Sequence, residues 1–277
     1  MTKRFELDKY KNEIIELYIN KQISCKEIAD KYGYSLCGIY DALKRWNIQT
    51  RNLSQSHKRY YCNESFFEEI NTDEKAYWLG FIYADGYITG NNLGIALSQN
   101  DENHLLKFKK SINATYPIKR YLSQSSYGNF NYSRILINSK KLVEDIKQKG
   151  VINNKTLVLD FPKESILNEK FYRHFIRGYF DGDGSLVLSR NSINFKICGT
   201  KELLEKIIDI FNNCSEYDYQ KRVFKRWNND KNNYYISYGG KNKTLSIMEY
   251  LYDNSNIYLD RKYKKYIILK NSEKVNL

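Results

Sequence analysis

Hydrophobic and polar positions along this 277-residue chain follow two periods, and their order occurs twice. A spacing of three to four residues predicts helices, and alternation with a period of two predicts strands. After an apolar run at 78–86, these patterns predict strands and helices at about 87–98, 101–113, 116–123, 131–138 and 139–149. After a second run at 176–184, the same order returns at about 185–198, 200–213, 218–227, 233–239 and 243–253. The sequence therefore predicts an α+β fold with two pseudo-symmetric αββαββα halves, residues 71–167 and 168–277.

The two apolar runs are closely similar in sequence. Residues 78–86 read WLGFIYADG and residues 176–184 read IRGYFDGDG, so each has a glycine near its start and ends in aspartate and glycine. One such ending is typical of an ordinary turn after a buried helix. Two copies at the spacing of a domain instead indicate two similar halves. Each half would contribute one carboxylate, Asp85 or Asp183, to a shared site.

Small residues in both runs recur at a spacing that suits close helix packing. Gly80 and Ala84 fall on one face of a helix, as do Gly178 and Gly182. Small side chains at this spacing allow two helix backbones to approach each other closely. The sequence therefore predicts that the two runs are helices packed together through these four residues.

The ends of the two runs predict a metal site. Gly86 and Gly184 are expected to end the helices in the left-handed conformation, which leaves Asp85 and Asp183 in the last turns. Two carboxylates there face the negative ends of both helix dipoles and repel each other. A divalent cation would relieve both effects, and carboxylate oxygens suit magnesium or calcium.

These residues resemble the paired motifs of the LAGLIDADG homing endonucleases, in the single-chain form that carries two motifs. The matching positions are Gly80, Ala84, Asp85 and Gly86 in the first copy and Gly178, Asp181, Gly182, Asp183 and Gly184 in the second. The first copy departs from the pattern at Tyr83, which replaces the family's first acidic residue. The family's metal ligand is the acid before the final glycine. The resemblance therefore implies that Asp85 and Asp183 are the metal ligands and catalytic carboxylates.

The resemblance also implies a fold and an activity. Two antiparallel sheets would form a saddle over the DNA major groove, in a monomer with internal pseudo-twofold symmetry. The implied reaction is a double-strand break at a long asymmetric site, the activity that underlies intron mobility. Mg²⁺ is the implied cofactor, with Mn²⁺ or Ca²⁺ able to replace it in binding. A lysine near the scissile phosphates is implied as well, and the candidates are Lys155 and Lys262, with Arg261 as the alternative to Lys262.

The composition agrees with a polyanionic partner. Lys and Arg number 45 against 32 Asp and Glu, which gives a formal net charge of +13, and there are 26 tyrosines. Basic side chains bind phosphates and aromatic rings contact sugars and bases, so double-stranded DNA is the expected partner. A low-GC coding bias would also raise the lysine and tyrosine content, but it does not explain the excess of positive charge.

Several other site classes are not predicted. The three histidines argue against a histidine-dependent nuclease centre, and the five cysteines lack C-x-x-C spacing and are expected to be reduced thiols. No signal peptide or apolar 18-residue segment is visible. We therefore expect an intracellular protein without membrane contact, in the cytoplasm or in the organelle that holds its target DNA.

Residues 1–50 predict a small all-α domain. Helical patterns occupy about 8–20, 25–32 and 36–47, with a capping box at Ser24 and Glu27. Helix, glycine turn and helix is the order of a helix-turn-helix, which predicts DNA binding by the third run. The expected contacts are Ser35, Leu36, Tyr40, Lys44, Arg45 and Arg51. A helical docking module that never touches DNA is the alternative. Residues 51–70 are predicted to be a linker.

Basic residues in the predicted strands are expected to face the DNA. Ile193, Phe195 and Ile197 point to one side of their strand, which leaves Lys196 on the other side. The predicted contacts are Arg120, Arg134, Lys196, Arg222 and Arg226. Each of these residues, taken alone, is equally consistent with a solvated surface position.

The predicted function is a metal-dependent, site-specific DNA endonuclease. The alternative is a non-cleaving DNA-binding transcriptional regulator or an RNA-splicing maturase on the same fold, and the N-terminal helices suit a regulator. Aspartates in both motif copies favour cleavage, because a protein that only binds DNA has no need for two carboxylates beside phosphates.

Overall fold

A computed structural model describes residues 3–21, 23–51, 59–125, 128–152, 158–190, 192–226 and 232–272 of the chain. The chain divides into two units, Met1–Arg59 and Tyr60–Leu277. The described residues of each unit form a separate hydrophobic core. Within those ranges, no helix is both long enough and apolar enough to cross a membrane.

The N-terminal unit is helical. Its elements are a 3₁₀ segment at Lys3–Tyr10, helix α1 at Lys11–Ile15, a π turn at Glu16–Asn20, helix α2 at Cys25–Tyr32 and helix α3 at Leu36–Arg45. Ser24 and Glu27 form a capping box at the start of α2, and Gly33 ends that helix with a φ of 71°. The Ser35 side chain caps α3. Helix α3 ends before position 47, because Asn47 adopts a left-handed conformation with a φ of 58°.

The first half of the second unit has the predicted order of elements. They are α4 (Asp73–Asp85), β1 (Gly86–Thr89), β2 (Asn92–Ser98), α5 (Glu102–Ser111), β3 (Ile118–Ser125), β4 (Gly128–Asn138) and α6 (Lys140–Gln148). The strands form an antiparallel sheet in the order β1-β2-β4-β3. Ile95, Ile135 and Ile137 of the two central strands are fully buried. One face of the sheet is therefore covered by the core, and the opposite one is its outer face.

The second half repeats this architecture. Its elements are α7 (Tyr172–Asp183), β5 (Gly184–Ser189), β6 (Ser192–Gly199), α8 (Lys201–Asn213), β7 (Phe224–Lys225), β8 (Tyr234–Gly239) and α9 (Lys241–Tyr252). The sheet order β5-β6-β8-β7 is equivalent to that of the first half. The prediction of an α+β fold with two pseudo-symmetric halves is confirmed. A further helix, α10 (Asp260–Asn271), follows the second half.

Strand β7 is shorter than the alternation predicts. It pairs with β8 only through Phe224 and Lys225, whereas the pattern predicts a strand over 218–227. Tyr219 is buried, and its backbone N–H donates to the side chain of Asn212 at 2.6 Å. The segment before β7 is therefore held by helix α8 rather than by the edge of the sheet.

Helix α10 is not predicted by the hydrophobic pattern. Its buried residues are Lys262, Tyr266 and Leu269, which lie on one helical face. Because a lysine occupies one of these inward positions, the apolar period is hidden in the sequence.

The predicted linker at 51–70 is wrong in its second part. Phe67 and Ile70 are buried in the core of the second unit. The backbone N–H of Thr115 donates to the carbonyl of Tyr61 at 2.8 Å, which ties this segment to the first half. Apolar side chains of this size gain more from burial than from exposure on a solvated linker. Residues 52–58 of that prediction lie outside the described residues.

Candidate metal centre and nucleic-acid interface

Helices α4 and α7 meet backbone to backbone at two glycines. A Cβ atom added at Gly80 would lie 2.0 Å from the carbonyl oxygen of Phe175. A Cβ atom added at Gly178 would lie 1.9 Å from the carbonyl oxygen of Tyr77. Both distances are far below van der Waals contact, so only glycine allows this crossing.

The same close packing continues to the ends of the two helices. A Cβ atom added at Gly182 would lie 2.2 Å from the Cβ of Ala84 and 3.2 Å from a carboxylate oxygen of Asp85. The carboxylate that ends α4 therefore lies directly against the last turn of α7. Asp183 is the last residue of α7, in the equivalent position of the second half.

The expectation that left-handed glycines end these helices is wrong. Gly86 has a φ of −76° and Gly184 a φ of −99°, and both are extended. Each glycine is the first residue of a strand, so helix passes into strand without a loop. Glycine is needed there for space instead: a Cβ would lie 2.6 Å from Cγ2 of Ile82 at Gly86, and 2.1 Å from the ring of Phe180 at Gly184.

The charges of Asp85 and Asp183 both affect the pKa of one buried tyrosine, Tyr179. The Tyr179 hydroxyl donates to the carbonyl of Cys198 at 3.0 Å. Burial raises its pKa well above the ordinary value, and the negative charges of Asp183 and Asp85 add to that shift. Asp85 is half-buried and Asp183 is exposed. The site therefore places two carboxylates near each other at the edge of the packed helices.

The donor set fits a hard divalent cation. Within the described ranges, no three His, Cys, Asp or Glu side chains gather in a way that could hold a metal ion. A cation between Asp85 and Asp183 would therefore take two protein carboxylates, with water and substrate phosphate completing its shell. Mg²⁺ is commonly bound in this way in enzymes that act on phosphates.

Lys262, a predicted catalytic lysine, is buried beneath the end of α7. Its ammonium donates to the carbonyl oxygens of Phe180, Asp181 (2.8 Å) and Gly184 (2.6 Å). Burial lowers the pKa of Lys262 to about 8, although the nearby carboxylate of Asp181 opposes the shift. These bonds hold the turn that carries the second carboxylate. The structure gives Lys262 this anchoring position rather than one open to a phosphate.

Arg261, the alternative to Lys262, is not beneath the end of α7. Arg261 forms an ion pair with Asp101 at 2.9 Å, and its side chain is otherwise exposed. Lys155 lies outside the described residues.

Asp181 belongs to a buried polar network that the sequence did not reveal. Its carboxylate accepts hydrogen bonds from the hydroxyls of Tyr77 (2.7 Å) and Tyr252 (2.5 Å) and from the backbone N–H of Leu259 (2.8 Å). Burial raises the pKa of Asp181, while Lys262 and these hydrogen bonds lower it. Because Tyr77 belongs to α4 and Asp181 to α7, the network joins the two halves.

At the position equivalent to Asp181, the first half has Tyr83. Its hydroxyl donates to the backbone carbonyl of Lys149, just after α6. Asp181 makes the equivalent link to the segment after α9 through Leu259. Each motif helix is thus tied to the end of its own half, by a phenol in one copy and by a carboxylate in the other.

A family comparison agrees with this geometry. The family model for a LAGLIDADG-like domain matches residues 72–149. This range begins at Thr72, the N-cap of α4, and ends just after α6, so it spans the first half. Residues 72–149 therefore form a LAGLIDADG-like domain. No curated protein matches the chain.

Several solved structures are similar to the chain. The homing endonuclease I-WcaI bound to its DNA recognition sequence matches with a TM-score of 0.50 and 16% identity, over 73% of this chain and 90% of that one. Full-length DUF199/WhiA from Thermotoga maritima has a TM-score of 0.45 and 16% identity, over 77% and 67%. I-DmoI in complex with nicked target DNA has a TM-score of 0.41 and 18% identity, over 70% and 99%. At these identities the likeness concerns the fold.

On the outer face of the first LAGLIDADG sheet, Arg134 is held among tyrosines. Its guanidinium donates to the hydroxyl of Tyr121 at 2.7 Å and lies 4.6 Å from the centre of that ring. Arg120 instead makes two hydrogen bonds of 2.7 Å to Glu102, although most of its side chain is exposed. Hydrogen bonds from Arg120 and Ser133 lower the pKa of Glu102 to about 2.

On the outer face of the second sheet, Lys196 lies over an aromatic ring. Its ammonium is 3.9 Å from the ring centre of Tyr235. Arg222 and Arg226 are exposed on the segment around β7. The structure therefore places three of the five predicted strand cations, Arg134, Lys196 and Arg226, on or beside an outer face.

In the N-terminal unit, two predicted DNA contacts have partners inside the unit. Arg45 forms an ion pair with Asp8 at 2.6 Å. Arg51 donates to the carbonyl of Ile23 and lies 4.2 Å from the ring centre of Tyr18. Of the other predicted contacts, the structure exposes Ser35, Leu36, Tyr40 and Lys44 on or beside α3.

Proposed function

We propose that this protein is a site-specific homing endonuclease that makes double-strand breaks in DNA at a long asymmetric target by divalent-metal-dependent phosphodiester hydrolysis. The observation that carries the proposal is the meeting of two helix ends, at which Asp85 lies against Gly182, one residue before Asp183. Two halves that differ in sequence around this centre support an asymmetric target. Internal pseudo-twofold symmetry supports a monomer, and the resemblance supports a role in intron mobility.

The two aspartates are the proposed metal ligands. A divalent cation bound there supplies Lewis-acid activation of water and neutralises charge on the phosphate and the leaving oxygen. The chain itself fixes the position of the ligands: Gly80 and Gly178 set the helix crossing, and Lys262 holds the last turn of α7. We propose Mg²⁺ as the cofactor, with Mn²⁺ or Ca²⁺ able to replace it in DNA binding.

Basic side chains on the outer faces are the proposed DNA contacts. Arg134, Lys196, Arg222 and Arg226 attract phosphate and can donate to base edges. We assign Arg120 to its Glu102 pair in the free protein, and to a phosphate only if that pair opens. In the N-terminal unit, Tyr40 and Lys44 are the proposed contacts of a helix-turn-helix, whereas Arg45 and Arg51 stabilise the unit itself.

Cleavage of a randomised double-stranded library, or of source-genome fragments, with Mg²⁺ or with EDTA tests the proposal. We expect Mg²⁺-dependent double-strand cuts at one long site. Asp85→Asn and Asp183→Asn should each abolish double-strand cleavage and leave DNA binding largely intact. Asp218→Asn is a matched control, because Asp218 is an exposed aspartate on the segment before β7. Full cutting by either motif variant would rule out the proposed metal site.

The same assay separates the alternative functions. Specific retention of DNA without cleavage under any divalent cation would favour a transcriptional regulator. A preference for RNA over double-stranded DNA in the same binding conditions would favour a maturase.

A further inference from the structure

The outer faces of the two sheets can be compared position by position, because their strand order is the same. Gly86 pairs with Ile95 in the first half, and its equivalent Gly184 pairs with Ile197 in the second. On one side of these pairs lies row 1, which contains Ala96, Arg134 and Lys119 in the first half and Cys198, Tyr235 and Phe224 in the second. On the other side lies row 2, which contains Tyr87, Gly94 and Leu136 in the first half and Ser185, Lys196 and Ser237 in the second.

In the first half, the basic side chain that neighbouring residues hold in place is Arg134, which belongs to row 1. Arg134 donates to the Tyr121 hydroxyl, and a further interaction with Tyr87 helps to raise its pKa. A guanidinium fixed between two phenols loses little conformational freedom on binding a partner. Arg134 has further donors that remain to face a ligand beyond the sheet.

In the second half, the cation held in place belongs to row 2. Lys196 is flanked in its row by two serines, Ser185 and Ser237, and its ammonium lies over Tyr235 of row 1. A cation over a tyrosine face is attracted to the ring, which holds the Lys196 ammonium on the outer face. The second half thus reverses the arrangement of the first, with tyrosine in row 1 and the cation in row 2.

The sizes of the side chains at equivalent row 2 positions account for this reversal. A Cβ atom at Gly94 would lie 2.2 Å from the ring of Tyr87, so the tyrosine covers the position that Lys196 occupies in the other half. In the second half, Ser185 replaces the tyrosine and leaves that position open. The Tyr87 ring and a long side chain at position 94 exclude each other, so this difference is built into the sheets.

We propose that Arg134 and Lys196 are the specificity-determining residues of the two halves, and that they read guanines at positions of the target that are not related by its twofold axis. The proposal rests on the DNA-binding part of the proposed function. Arginine and lysine donate to the O6 and N7 acceptors of guanine in the major groove. Because the readers occupy different rows, the two G·C requirements lie at different offsets from the centre of the target.

Selection of bound sequences from a randomised double-stranded library tests the proposal, with Ca²⁺ in the buffer so that cleavage is not required. The intact chain is expected to enrich one guanine position in each half-site, at unequal offsets. Lys196→Met should lower the preference at one of these positions by about tenfold or more and leave the other unchanged. Arg134→Met should do the reverse.

Two matched controls distinguish base recognition from a general effect of positive charge on binding. Lys140→Met removes an exposed lysine of α6 that pairs with Glu144, and it should change neither position. Arg226→Met removes a cation beyond the end of β7, outside the two rows, and should weaken binding evenly across the target if that side chain contacts phosphate. The proposal is overturned if Lys196→Met and Arg134→Met also weaken all positions evenly, or if the two guanine positions are symmetric.

A graft provides the converse test. The double variant Y87S/G94K gives the first half two of the three row 2 residues of the second and leaves Leu136 opposite the new lysine. A new guanine preference should then appear at the position symmetric to that read by Lys196. G94K alone should bind less well than the double variant, because its side chain meets the Tyr87 ring. Should the graft fail to fold, the two single methionine variants still decide the question.

The outcomes distinguish this proposal from the proposed endonuclease. Two unequal guanine positions without cleavage under any metal would overturn the hydrolysis and keep the assignment of the readers. Site-specific cleavage with unchanged preferences in both methionine variants would keep the endonuclease and overturn the assignment.

Discussion

At the scale of single residues, the candidate site depends on glycines, because the lack of a side chain allows close backbone approach. Gly80 and Gly178 bring two helix backbones together, and Gly182 brings one helix end against Asp85. A buried lysine has a complementary role, because the ammonium of Lys262 donates to three carbonyl groups where α7 passes into β5.

We expect Gly178→Ala to lower the free energy of unfolding by about 3 kcal/mol, because the added methyl group meets a backbone carbonyl that cannot move away without separating the helices. Urea unfolding followed by circular dichroism measures the change. Gly239→Ala is the matched control, since a Cβ there meets nothing closer than 3.8 Å. Equal stability of both variants would contradict the backbone crossing.

Lys262→Met should reduce metal-dependent cleavage strongly, because the carbonyls of Phe180, Asp181 and Gly184 lose the Lys262 ammonium that joins them and the turn around Asp183 is released. The net loss of stability should be about 2 kcal/mol, since the cost of unbonded carbonyls is partly offset by removal of a buried charge. Cleavage rate and urea unfolding are measured on the same samples. Lys264→Met, at an exposed position of the same helix, is the control. Unchanged cleavage by Lys262→Met would contradict the anchoring role.

At the scale of elements, the two motif helices are joined by buried polar groups as well as by glycines. Tyr77 has one hydroxyl proton and donates it to Asp181, so it accepts from the Nε2–H of His104 at 2.9 Å. The chain of bonds runs from α5 through α4 to α7 and, through Tyr252, to α9. Four helices from both halves therefore share one network.

This network makes the free energy of unfolding depend on pH. Burial lowers the pKa of His104 to about 3, from an ordinary 6.5, and the positive charge of Lys107 adds to the shift. The folded state therefore favours neutral His104, whereas the unfolded chain binds a proton at this residue below about pH 6.5. The contribution of neutral His104 to the free energy of unfolding is complete above about pH 6.5 and is lost as the pH falls towards 3. We expect His104→Gln to lose stability less steeply than the original chain between about pH 6.5 and 5. Urea unfolding across that range measures both slopes, and parallel slopes would contradict the assignment.

The elements themselves could largely be predicted from the sequence, because they depend on local periodicity. The two halves, the order of their elements along the chain and the metal candidates follow from the repeated motif. What the sequence did not predict depends on contacts between distant residues. The lysine of α10 takes its position from carbonyls of α7, and Asp181 takes its partners from α4 and α9. The segment at 60–70 lacks helical or strand periodicity and is ordered by packing and by backbone hydrogen bonds to distant residues.

At the scale of the whole molecule, the chain is built from two units with separate cores. The core of the second unit draws its described residues from Tyr60 onward, and that of the first unit from residues before 50. We therefore expect the larger unit to fold without the smaller one.

A chain of residues 60–277 should unfold with a free energy within about 0.5 kcal/mol of that of the same unit in the intact chain. If the N-terminal helices contact DNA phosphates, the shortened chain should also show a shallower dependence of affinity on salt. Calorimetry and binding titrations at several salt concentrations measure the two quantities. An unchanged salt dependence would favour the docking-module interpretation of the first unit, and a failure to fold would contradict the separate cores.

The direct passage from helix to strand at Gly86 and Gly184 has a consequence for how such a protein changes over generations. The proposed chemistry resides in the last residue of each helix, whereas the proposed readers reside on strands that follow it. Mutations can therefore alter the outer faces and retarget the protein while the helix crossing keeps the carboxylates in place. Under the proposed function, descendants of this protein can acquire new target sites while they keep the same reaction.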